Sequence, residues 1–87
     1  MSMTLRADVS LADTGTGLVL LDERTGRYWQ LNGTGAFVLH QLLDGRAEAE
    51  VSALVRQRYV VDDDRAARDV GALVERLRGA GLLAGRS

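Results

Sequence analysis

The hydrophobic pattern of this chain changes its period once, at Asn32, and that change limits what the chain can fold into. Before Asn32, apolar residues recur at every second position or in short runs; after it they recur at every third and fourth. Over residues 3–11, Met3, Leu5, Ala7, Val9 and Leu11 fall on one side of an extended chain, so a first half-buried strand is expected there. Residues 12–17 are rich in Gly, Thr and Asp and read as a turn, and residues 17–22 form a second, Leu- and Val-rich strand. Glu23, Arg24, Thr25 and Gly26 supply turn chemistry ahead of a third strand over residues 27–31. Strands two and three should therefore pair as an antiparallel hairpin.

Beyond Asn32 the pattern is helical. The Asn32 side chain suits an N-cap, because its carbonyl can accept a bond from an otherwise orphan amide of the first turn. Ala36, Phe37, Val38, Leu39, Leu42 and Leu43 surround most of the first helix, which predicts a central element ended by Asp44 and Gly45. A second helix over residues 47–59 aligns Val51, Leu54, Val55 and Tyr59. A third starts at Asp62, Asp63 and Asp64, where each carboxylate gains about 0.3–1 kcal/mol from the helix dipole before mutual repulsion. It carries the stripe Ala66, Val70, Leu73, Val74 and Leu77, and ends at Gly79 and Gly81. Strands followed by helices indicate an α+β fold: a three-stranded antiparallel sheet, then three helices in a winged helix-turn-helix-like arrangement. Its 87 residues fit a single domain spanning 1–87.

The residue inventory argues against chemistry. There is no cysteine, so disulfides, thiol catalysis and cysteine-based metal sites are excluded. His40 is the only histidine, with Asp44 as its one carboxylate at helical spacing. The aspartates at 62–64 lack the glycine and distal glutamate of a calcium loop. Asn32-Gly33-Thr34-Gly35 resembles a phosphate cradle, yet the chain has no lysine to complete one. We expect no catalytic residue, no metal and no cofactor. Nor is a signal sequence or membrane span expected: residues 1–12 alternate in polarity, and the longest apolar runs are short. This fits a cytoplasmic protein without membrane contact.

Eleven basic and twelve acidic residues give a formal charge of −1, which makes nucleic acid a poor default partner. A winged-helix DNA-binding regulator remains the alternative, since the third helix carries Arg65, Arg68, Arg76 and Arg78. Against it stand Asp62, Asp63, Asp64, Asp69 and Glu75 on the same segment.

The third strand holds two of the four aromatic residues within five positions: Arg27, Tyr28, Trp29, Gln30 and Leu31. Alternation puts Trp29 and Leu31 on one face, where they serve equally well as core, and Tyr28 and Gln30 on the other. As an edge strand it would present unpaired amides and carbonyls to an extended peptide.

Tyr28-Trp29-Gln30-Leu31-Asn32, Gly35, Leu42-Leu43-Asp44-Gly45, Asp69-Val70 with Leu73 and Leu77, and Gly81-Leu82-Leu83 together resemble the PqqD-like family over residues 17–83. Members are recognition elements for ribosomally synthesised, post-translationally modified peptides (RiPPs). The resemblance implies that a precursor's leader peptide adds as a strand to the third strand and packs against the third helix. Its binding residues would be Arg27, Tyr28, Trp29, Gln30 and Leu31 on one wall and Asp69, Val70, Leu73, Val74 and Leu77 on the other, with Asp69 facing a basic or polar leader group. The chain looks most like the free-standing leader-binding proteins of lasso-peptide biosynthesis. That likeness implies a leader peptidase and an ATP-dependent cyclase as further partners. The open strand edge leaves a monomer or a weak dimer as the expected state.

Overall fold

The computed structural model of the chain describes residues 3–84. Three strands form: β1 spans Val9–Asp13, β2 Gly17–Asp22 and β3 Tyr28–Asn32. They make one antiparallel sheet in the order β1-β2-β3, with Leu20 of β2 opposite both Leu11 and Trp29. Leu18, Leu20 and Leu31 are buried on one face, whereas Leu21 and Tyr28 are exposed on the other. This one-sided burial is what the period of two demands when helices cover a single face.

The expected first strand over residues 3–11 needs correction, because it begins only at Val9 and continues to Asp13. The Val9 amide donates to the Arg6 carbonyl at 3.1 Å, a turn that interrupts the alternation. Residues before the turn pair instead with the segment after the last helix. Arg6 N–H donates to the Leu82 carbonyl and Ala84 N–H to the Thr4 carbonyl, both at 2.9 Å, with Leu5 opposite Leu83. The cause is Arg6, whose guanidinium lies 2.9 Å from Asp22 and 3.0 Å from Asp8 and donates to the Gly81 carbonyl at 2.7 Å. A straight strand could not gather these three partners around one side chain.

Three helices follow: α1 Gly33–Leu43, α2 Glu48–Arg58 and α3 Asp63–Gly79. Asn32 caps α1 by accepting from the Gly35 amide at 2.8 Å, and Asp62 caps α3 by accepting from the Arg65 amide at 2.8 Å. The Glu50 carboxylate accepts from the Ala47 amide at the start of α2. Helices α1 and α3 end alike, with Gly45 (φ 98°) and Gly81 (φ 72°) in the left-handed region. At each end the glycine amide and the next one bond back into the last turn, satisfying carbonyls that the helix leaves open. After Gly81, Leu82 turns back into the core and is fully buried.

One core joins the sheet to all three helices. Leu18, Leu20 and Leu31 meet Val38, Leu39 and Leu42 of α1, Val51 and Val55 of α2, and Val70, Val74 and Leu77 of α3. Helix α1 packs against β2, β3, α2 and α3, the central position its nearly continuous apolar surface predicts. No helix among the described residues is long and apolar enough to cross a membrane.

Candidate peptide-binding groove

Most of the polar residues singled out as candidate chemistry have structural partners. His40 Nε2 lies 3.5 Å from Asp13 of β1, not Asp44; His40 is half-buried and Asp13 exposed. Asp62 is an N-cap and Asp63 pairs with Arg56, so the acidic triplet starts a helix and ties it to α2. Asn32 to Gly35 form the capped first turn of α1. Among the described residues no group of three or more His, Asp or Glu is placed to hold a metal ion.

One buried pair is electrostatically distinctive. Asp22 is only 3% exposed, and burial by itself would raise its pKa. Hydrogen bonds from Arg6 and from the Arg24 amide outweigh that and hold the carboxyl below its ordinary value. Neither Arg6 nor Asp22 lines the groove described next, so the pair fixes the fold rather than a ligand.

The main concavity, about 710 Å³, runs between the end of β3 and α3, closed behind by the start of α1 and by Tyr59 and Val61 after α2. Leu31, Val38, Val55 and Leu73 give it an apolar floor. Gln30, Asn32 and Thr34 stand on one rim and Arg65, Asp69, Ala72 and Arg76 on the other. A small apolar trough edged by a few polar groups is suited to side chains of an extended peptide.

The free edge of β3 borders this trough. Among the described residues β3 pairs only with β2. The Asp22 amide donates to the Arg27 carbonyl at 2.8 Å, which sets the phase of the ladder. Main-chain groups in an antiparallel pair alternate in direction along each strand. Those of Trp29 and Leu31 therefore turn toward β2, and those of Tyr28 and Gln30 turn outward to the free edge.

Of the ten residues expected to bind peptide, the structure brings Gln30, Leu31, Asp69 and Leu73 together in the groove. Arg27 precedes β3, and Tyr28 and Trp29 lie at its start, away from the groove. The Arg27 guanidinium sits 5.6 Å from the Trp29 ring centroid, and Tyr28 is 64% exposed on the face away from the helices. Val70, Val74 and Leu77 are at most 2% exposed and are core residues. The α3 wall is instead formed by Arg65, Asp69, Ala72 and Arg76, a stripe one position away from the buried one. Its spacing of four, three and four was present in the sequence, but polar residues at helical spacing read as a solvated face. Thr34, Val38, Val55, Tyr59 and Val61 carry no local signal and meet only through the tertiary fold.

Residues 17–83 match the family described as coenzyme PQQ synthesis protein D (PqqD). The fold is similar to that of a lasso peptide synthetase B1 complexed with the leader peptide, with a TM-score of 0.90 and 41% identity over 98% of this chain and 100% of that one. It is also similar to TbiB1 in complex with the TbiA(beta) leader peptide, with a TM-score of 0.84 and 26% identity over 100% of this chain and 99% of that one. No curated protein matches the chain in sequence.

Proposed function

This chain belongs to the PqqD family, and from that premise we propose that it binds the leader segment of a ribosomally made precursor peptide and presents it to modifying enzymes. The leader adds as a fourth strand to the free edge of β3, pairing with the outward main-chain groups of Tyr28 and Gln30. Its alternate side chains enter the trough against α3. In this reading the protein performs no chemistry of its own. It holds the precursor while a leader peptidase and an ATP-dependent cyclase act, as in lasso-peptide maturation, and it works in the cytoplasm where precursors are made.

The observation that carries this reading is the leader peptide bound by the 41%-identical structure. The open edge and apolar trough supply the physical means. Main-chain pairing gives affinity that is indifferent to sequence, and pockets for alternate side chains add selectivity. The DNA-binding alternative is not favoured. Asp69 and Glu75 face Arg65 and Arg78, which leaves Arg68 and Arg76 as the α3 arginines without an ion pair among the described residues, a small positive charge for a phosphate-binding face.

Fluorescence anisotropy with the labelled leader peptide of that 41%-identical relative tests the proposal. Saturable binding that survives excess unrelated duplex DNA is expected. Absence of peptide binding by folded protein, with tight and salt-sensitive binding to DNA, would replace this reading with the alternative.

A further inference from the structure

Resting on that reading, we infer that Arg76 makes the groove selective for an acidic side chain in the bound peptide. Three charged residues line the trough: Arg65, Asp69 and Arg76. Arg65 and Asp69 face each other at 3.7 Å across one helical turn, so Asp69 is already opposed and is not left to attract a basic group. Among the described residues Arg76 has no such partner. The positions one turn away on α3 and just beyond are Ala72, Leu73, Gly79 and Ala80, none charged. The adjacent Glu75 accepts from Arg78 at 2.7 Å. The rest of the lining, from β3, α1, α2 and the segment after α2, contains no acidic side chain. Among the described residues Arg76 forms no ion pair, which leaves the groove with one unopposed positive charge in a chain of formal charge −1.

The position of that charge gives it consequence. Arg76 lines the same trough as the apolar Ala72 and Leu73. Arg76 is exposed at the rim, where its planar guanidinium can hold a carboxylate through two parallel hydrogen bonds. A peptide strand on the β3 edge lies about 4.8 Å beyond β3 and sends alternate side chains toward α3. One of these is therefore an aspartate or glutamate set against Arg76, with aliphatic neighbours reaching the floor. A lysine or arginine at that place would be repelled.

Selection from an mRNA-displayed library of randomised linear peptides tests this without knowledge of the natural leader. Wild-type protein should enrich peptides with Asp or Glu at one fixed place relative to their apolar positions. Arg76→Glu should lose that preference or turn it toward Lys and Arg. Arg68→Glu, the same charge change on an exposed α3 residue outside the groove, should keep it. Replacing the enriched Glu by Gln should weaken binding to wild type by up to about fivefold and leave binding to Arg76→Gln nearly unchanged. Enriched peptides with no acidic preference, or a preference that survives Arg76→Glu, would overturn the inference while leaving peptide binding intact. No enriched peptide at all would overturn the peptide-binding reading and this inference with it.

Discussion

Gly17 lies so close to the carbonyl oxygen of Leu31 that a β-carbon on Gly17 would overlap it. This contact joins the start of β2 to the last buried residue of β3, next to the groove. Gly17→Ala should therefore push the two strands apart and destabilise the fold by about 1–3 kcal/mol, the usual cost of overpacking. Gly71, inside α3, has nothing within 4 Å of its missing Cβ. Gly71→Ala should stabilise by about 0.5–1 kcal/mol through helix propensity. Urea unfolding of both variants reads the two signs, and a neutral Gly17→Ala would contradict the strand contact.

The groove makes a prediction that separates binding from stability. Ala72 is exposed and lines the trough, whereas Ala67 is exposed on α3 outside it. Ala72→Trp should fill the trough and abolish leader binding with the melting temperature little changed, and Ala67→Trp should leave both intact. Leu73→Ala is the poorer probe. At 8% exposure Leu73 is also core, so its truncation should cost about 2–5 kcal/mol. Equal leader affinity for Ala72→Trp and wild type would place the ligand elsewhere.

Acid should weaken the fold through Asp22. Its carboxyl is held below the ordinary value, so the folded state favours the charged form. The resulting stability is fully present above the unfolded value near 3.8 and is lost as the pH falls from there through the folded value. Asp22→Asn removes this dependence and leaves Arg6 without its most buried partner. The variant should melt lower than wild type at neutral pH, and the gap should narrow on acidification below 3.8. A gap that is constant with pH would mean that Asp22 acts by packing alone.

The sequence reveals most of this architecture because most of it is locally encoded. Two strands, the caps at Asn32 and Asp62, and the glycine-terminated ends of α1 and α3 each depend on residues within a turn of one another. The first strand is misread because its alternation continues through Arg6, whose partners Asp22 and Gly81 are distant in sequence. The groove is legible only in part for the same reason. Burial distinguishes Val70, Val74 and Leu77 from Asp69 and Leu73, and burial depends on how α3 is rotated against the sheet. Tyr28, the residue a sequence reader would most readily assign to peptide binding, points away from the helices because its strand alternates.

Whether a leader peptide completes the free edge of β3 is read most directly by amide hydrogen exchange followed residue by residue by NMR. The Trp29 and Leu31 amides already point toward β2 and should exchange slowly with or without ligand. Adding saturating leader peptide of the 41%-identical relative should slow exchange at the outward amides of Tyr28 and Gln30. Bound peptide with unchanged exchange at both of these amides would contradict strand addition at this edge.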